Sequence, residues 1–134
     1  MIILFIDDED YRHDLAEKHL DADHTLLHAY NYDQAMDIFK ARTDIDLACF
    51  DHDLGDYVQG TYGMDERNGS MLAFDLLYNL PEANRPKQVI VHSFNPSGSK
   101  NIVSKFKSAG IPVRAHDFSE WLMVMIAHDL HKLF

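Results

Sequence analysis

Acidic and imidazole side chains stop three separate apolar runs. Asp7 and Asp8 close Ile2–Ile6, Asp51, His52 and Asp53 close the run LACF, and His92 and Ser93 close QVIV. Carboxylates gathered in one cleft repel one another, and some must protonate unless a cation neutralises them. A hard divalent ion, Mg²⁺ or Mn²⁺, takes oxygen ligands and keeps positions open for phosphate oxygens. Asp7, Asp8 and Asp51 are therefore the candidate metal ligands. Taken alone, Asp7-Asp8 also reads as the acidic start of a helix; Asp51 beside the pair tips the reading to metal. His52 and His92, one on each of two strand ends, suit a general base and acid, with Asp51 as a third catalytic candidate. A lone histidine after a strand is ordinarily a solvated loop residue.

The segment HSFNPSGSK adds an anion-binding pattern. Pro96 and Ser97 suit a helix start, Gly98 allows close backbone approach, and free N–H groups at a helix N-terminus favour an anion. Ser93, Asn95, Ser97 and Gly98 are the phosphate-binding candidates, with Lys100 as a further contact. The competing reading is an Asn-Pro turn into a capped helix. Arg12, one turn past Asp8, reaches back to grip a phosphate or pair with an acid. The long polar stretch from His52 to Asn68 predicts a loop, a lid in the functional reading. Tyr57 and Tyr62 within it could stack on a base or simply pack. Trp121, Met123 and Met125 are packing residues.

Five elements of each kind must position these groups. Strands are predicted at 2–6, 24–29, 46–50, 88–91 and 111–115. Helices follow each of them. The first runs to about His19, with Tyr11, Leu15 and His19 on one face. The second is capped by Asn31 with Gln34 as its partner, and the third carries Leu72, Ala73, Leu76, Leu77 and Leu80. The fourth starts near Ser97 and ends before Gly110, and the fifth is capped by Asp117 with Glu120. Strict strand–helix alternation predicts an α/β, flavodoxin-like fold: a five-stranded parallel sheet of order 2-1-3-4-5 with helices on both faces. Ligands of such sheets sit at the carboxyl ends of the strands, here between strands 1 and 3.

The bulk numbers fit one domain over residues 1–134 with a full core; 46% of residues are hydrophobic. A net charge of −10 excludes a broad nucleic-acid surface. A small phosphorylated ligand remains compatible, because a bound metal reverses the local sign. One cysteine, Cys49, rules out a disulfide framework and reads as a core thiol in a reducing, cytoplasmic setting. No signal segment or membrane-spanning stretch is expected.

The order strand–Asp-Asp, strand–Asp, strand–Ser resembles response-regulator receiver domains. The resemblance implies that Asp7, Asp8 and Asp51 bind Mg²⁺, that Asp51 accepts a phosphoryl group, and that Ser93 is the strand-4 hydroxyl. Receivers also carry a lysine at the end of strand 5. Here no lysine stands between Lys107 and Lys132, and Arg114 and His116 occupy that stretch. The combination DD-x-x-x-R (Asp7 to Arg12), DHDLG (Asp51 to Gly55) and HS-x-NP-x-G (His92 to Gly98) is more similar to the cyclic-phosphate-processing receiver-like family. That resemblance implies metal-dependent hydrolysis or processing of a cyclic phosphate, with a small phosphorylated ligand or an RNA-end phosphate as partner. Two alternatives stay open: a stand-alone receiver phosphorylated on Asp51 that works through a protein partner, and a phospho-ligand binding module without turnover.

Overall fold

Apolar side chains alternate in direction along the central strands, and that alternation creates two cores. The computed structural model describes residues 1–60 and 63–134, with side chains outside 58–65. In chain order the elements are β1 (Ile2–Ile6), α1 (Asp10–Leu20), β2 (Thr25–Ala29), α2 (Tyr32–Ala41), β3 (Leu47–Phe50), β4 (Asp56–Gly60) and β5 (Gly63–Arg67). Then follow α3 (Gly69–Asn79), β6 (Gln88–Val91), α4 (Pro96–Ser108), β7 (Val113–Ala115) and α5 (Glu120–His128). Strands β2-β1-β3-β6-β7 form one parallel sheet in that order, which is the expected 2-1-3-4-5 topology.

Leu4, Ile6, Ala48, Phe50, Val89 and Val91 face α2, α3 and α4. Their neighbours Ile3, Phe5, Leu47, Cys49 and Ile90 face α1 and α5. Both faces are covered, so the strands read as continuous apolar runs. Cys49 is fully buried, and burial pushes its thiol up to about 12, which leaves it inert as expected for a core residue. Among the described residues no helix is long and apolar enough to cross a membrane.

Helix starts follow side-chain caps. Asn31 Oδ1 accepts from the Gln34 N–H (2.9 Å), Asn68 Oδ1 from Met71 (3.0 Å) and Asn95 Oδ1 from Gly98 (2.9 Å). The Gln34 side chain accepts from Tyr30 N–H, one residue before the cap.

Four expectations need correction. The cap of α5 is Ser119, which accepts from the Leu122 N–H at 3.1 Å, and not Asp117. Phe118 is buried against the α1/α5 core, so the chain stays extended until that ring is seated. The last strand begins at Val113 instead of Ile111, because Pro112 has no amide hydrogen for the ladder. The buried stripe of α1 is His13, Ala16 and Leu20; Tyr11 is exposed. Finally, residues 52–68 are not all loop, since β4 and β5 pair as an antiparallel hairpin. DYVQG and GMDER show no apolar alternation, so this two-stranded ribbon off the main sheet left no period-2 signal. Tyr57 is exposed, and Tyr62 lies outside the described residues.

Gly69 opens α3 directly against the end of β3. Its N–H donates to the His52 carbonyl (2.7 Å), and a Cβ there would collide with the Asp51 carbonyl oxygen. Backbone cannot swing away as a side chain can. Gly69→Ala is expected to cost about 1–3 kcal/mol of stability, read as a lower urea midpoint; an unchanged midpoint would show that the contact is not tight.

Candidate metal and phosphate site

Strand register places the acids. Ile6, Phe50 and Val91 are paired across β1, β3 and β6, and all three side chains enter the α2/α3/α4 core. The next residues, Asp7, Asp51 and His92, therefore emerge side by side on the opposite, α1/α5 face. The ladder continues through them: Asp51 N–H donates to Ile6 O (3.0 Å) and His92 N–H to Phe50 O (2.9 Å).

Asp7 is fully buried and accepts three hydrogen bonds, which leaves one lone pair of Oδ1 for a cation. Its Oδ1 accepts from the Glu9 N–H (2.9 Å), and its Oδ2 accepts from Arg12 Nη1 (3.1 Å) and His92 Nε2 (2.9 Å). Burial pushes the Asp7 carboxyl up, but the hydrogen bonds from His92, Glu9 and Arg12 outweigh it and hold it below the usual range. Arg12 Nη1 also stands 3.7 Å from Asp51 Oδ2. Its guanidinium is ringed by Tyr11, Phe94 and Phe118, with centroids 5.7, 5.3 and 5.1 Å away. Asp51 is also buried. Burial first, and then the Asp7 charge, raises its carboxyl to about 7. Burial and Asp7 raise Asp8 in the same way.

Asp7, Asp8 and Asp51 each offer a carboxylate oxygen, and these oxygens lie within 4.8 Å of one another. All are hard donors, one residue is exposed, and two of the three carboxyls are pushed up by burial and by the Asp7 charge. That set fits a divalent cation. The cleft beside it measures about 210 Å³ and is lined by Asp8, Glu9, Arg12, Asp51, Asp53, Ser93 and Phe94.

The other expected residues divide. Ser93 lines the cleft, and its Oγ accepts from the Asn95 N–H (3.0 Å), which leaves the hydroxyl proton for a ligand. His92 does not reach the cleft. It is fully buried, stacked on Phe5 at 4.9 Å, and neutral because burial lowers its pKa against the raising effect of Asp7. Its proton sits on Nε2 against Asp7, and Nδ1 has no partner among the described residues. A free acid or base at the cleft, as expected for His92, does not suit that place; it holds Asp7 from behind.

His52 is coupled to Asp53: Nδ1–H donates to Asp53 Oδ1 (2.8 Å), and Asn95 Nδ2 donates to the same oxygen (3.3 Å). Gly98 is where the His52 ring packs, and a Cβ there would strike the imidazole. Its N–H is already taken by the Asn95 cap. So Asn95 and Gly98 position His52 and are not free to cradle a phosphate, contrary to the expectation. Ser97 and His52 line a neighbouring hollow of about 300 Å³. Lys100 lies off the cleft, along α4. Arg114 and His116 turn away as well, onto the carbonyls of Val113 (2.9 Å) and Leu133 (2.9 Å).

Sequence reasoning missed three contributors. Asp53 orients His52, Phe94 covers Arg12, and His13 braces the Asp7 carbonyl (2.7 Å) while meeting His28 at 2.6 Å. The string DHD carried a signal for the first; the others depended on packing.

The family described as Cyclic-phosphate processing Receiver domain matches residues 2–108. No curated protein matches the chain. Among solved structures, the receiver domain of NtrX from Brucella abortus is similar at a TM-score of 0.64 and 21% identity, over 98% of this chain and 99% of that one. The Mn²⁺-bound form of the response regulator Rcp1 gives 0.65 at 14% identity, over 96% and 93%. A longer NtrX chain in complex with ADP gives 0.60 at 22%, over 94% of this chain but 26% of that one, so this chain spans about a quarter of that relative. At these identities the likeness establishes the fold.

The raised Asp51 carboxyl has a consequence for stability. Its folded pKa of about 7 exceeds an unfolded value near ~4, so the folded chain binds more protons in that window. Stability without metal must fall as pH rises from about 4 to 7, by up to roughly 4 kcal/mol. Asp51→Asn is expected to flatten that fall and raise Tm at pH 8, and millimolar Mg²⁺ to do the same for the wild type. An equal fall in Asp51→Asn would assign the pH dependence to another group.

Proposed function

We propose that this chain, which belongs to the cyclic-phosphate processing receiver domain family, is a divalent-metal-dependent phosphoesterase that opens a cyclic phosphate of a nucleotide or RNA end. The observation that carries this reading is the conjunction, at one edge of the sheet, of a three-carboxylate cluster and an oriented His52–Asp53 pair. A receiver that only accepts a phosphoryl group has no need of the second.

Asp7, Asp8 and Asp51 would hold Mg²⁺ or Mn²⁺, which when bound polarises phosphate oxygens and acidifies a water. Asp7 arrives fixed and charged because Arg12 and His92 both donate to its Oδ2. Arg12 Nη2 has no partner among the described residues and is free for a phosphate oxygen, as is the Ser93 hydroxyl proton. Because the Nδ1 proton of His52 is committed to Asp53, the Nε2 lone pair is the basic one. The proton lost as water attacks phosphorus passes to the His52–Asp53 pair, whose Asp53 carboxylate lines the cleft. The P–O bond to one ribose oxygen breaks, and that oxygen takes back the proton lost by the water, giving a phosphomonoester. His92, sealed behind Asp7, is a positioning residue.

The signalling alternative has Asp51 as phosphoryl acceptor. The strand-end cation that the receiver resemblance calls for is replaced by Arg12 from α1, since Arg114 on β7 turns away from the acids.

Incubation with Mn²⁺ and a 2′,3′-cyclic nucleotide is expected to yield the monophosphate, followed by ³¹P NMR. Asp51→Asn should abolish turnover, and His52→Ala should lower kcat by about 10²–10⁴. A labile phosphoryl group gained from acetyl phosphate, with no cyclic-nucleotide turnover, would replace this reading with signalling. A rise in Tm with ligand and metal but no turnover would leave a binding module.

A further inference from the structure

A groove of about 590 Å³ runs between α4 and β7 and meets the acid cleft at Ser93 and Phe94, which line both. Its size is that of a small-molecule site. Its charge is opposite to that of the chain, which carries 22 acidic and 12 basic residues. Lys100 and Lys107, two turns apart on α4, and Arg114 on β7 line it, and Asp117 is the one acid among its lining residues. All three cations are exposed, and among the described residues none has an ion-pair partner within 4.0 Å. Three unpaired cations around one concavity repel one another, and an anion in the groove is what relieves them. Val103 and Val113 supply an apolar floor, and Phe94, 59% exposed, stands where groove and cleft join.

We infer that this groove is a second anion subsite: the ligand carries another phosphate besides the one over the acid cluster, with its base or sugar against Phe94. This rests on the phosphoesterase reading for the reacting phosphate, while the groove's charge and shape stand apart from it. A base stacked on an exposed aromatic ring contributes about 1–3 kcal/mol, and the cations secure the flanking phosphate. A second phosphate can come from a nucleotide phosphorylated again at its 5′ position or from the phosphodiester of an oligonucleotide end. The broad polyanion surface that the net charge excludes is not required, because the groove is short.

Three substrates separate the sources: uridine 2′,3′-cyclic phosphate, its 5′-phosphorylated form, and a uridine dinucleotide ending in a 2′,3′-cyclic phosphate. At least one of the last two is expected to show a KM about tenfold below that of the first, a gain of about 1.4 kcal/mol. Whichever arm gains names the source. Lys107→Ala/Arg114→Ala is expected to remove the gain while leaving kcat and KM for uridine 2′,3′-cyclic phosphate unchanged. Lys18→Ala/Lys132→Ala, which removes equal charge elsewhere, should keep it. Equal KM values for all three substrates, or equal loss in both double variants, would overturn the subsite. Should no substrate turn over, the catalytic reading fails by itself. Fluorescence anisotropy of a labelled uridine dinucleotide 3′-phosphate then decides: binding lost in Lys107→Ala/Arg114→Ala upholds the subsite, and no binding to the wild type ends it.

Discussion

One carboxylate is given no freedom to move or to protonate. The Asp7 side chain lies beneath the surface with donors on both oxygens: Glu9 N–H on one, Arg12 and His92 on the other. A buried carboxylate is costly unless its lone pairs are met, and here donors take three of them and leave one, on Oδ1, for a cation. The consequence falls on its neighbours. With Asp7 fixed as an anion, Asp51 and Asp8 feel both burial and a like charge, and both are pushed toward protonation. Unequal carboxyls of this kind are a recurrent feature of functional sites. Here the inequality leaves the cluster short of positive charge at neutral pH.

The support behind Asp7 is part of the same constraint. His92 stacks on Phe5 and His13 meets that ring edge-on at 5.0 Å, so two imidazoles are fixed by one core phenylalanine. His13 extends the chain of contacts outward to His28, which reaches Glu17 at 3.1 Å. Ligands built on strand ends, braced by core rings, hold geometry better than ligands on loops. The β4–β5 hairpin is tied from outside: Arg67 pairs with Asp33 and lies 4.0 Å over the Tyr32 ring.

Cations are distributed in a way that sets this chain apart from the receiver pattern. Arg12 comes to the acids from α1, and β7 contributes none to them. The positive charge of β7 and α4 faces a separate groove instead. The cleft and the groove therefore differ in charge: negative charge and a tethered guanidinium on one side of Phe94, cations without ion pairs among the described residues on the other.

How much of this was legible in the residues follows from range. Short apolar runs stopped by polar residues defined the strands, and their alternation with helical stretches of period 3.6 pointed to the sheet, because both are local patterns. The same runs put Asp7, Asp8 and Asp51 at one edge, and Asn31 announced its helix cap. Which way His92 points was not local. It follows from the pairing of Phe50 with Val91, residues 41 apart in sequence (91 − 50), and that register turns the imidazole into the core behind Asp7. Gly98 looked like a phosphate loop and proved to be the space His52 needs, since only folding brings α4 against the end of β3. The Ser119 cap and the cationic groove were hidden for the same reason, and the hairpin because its strands lack apolar alternation. The order of residue types fixes what chemistry is on hand, but packing between distant segments chooses which groups meet the ligand and which brace those that do.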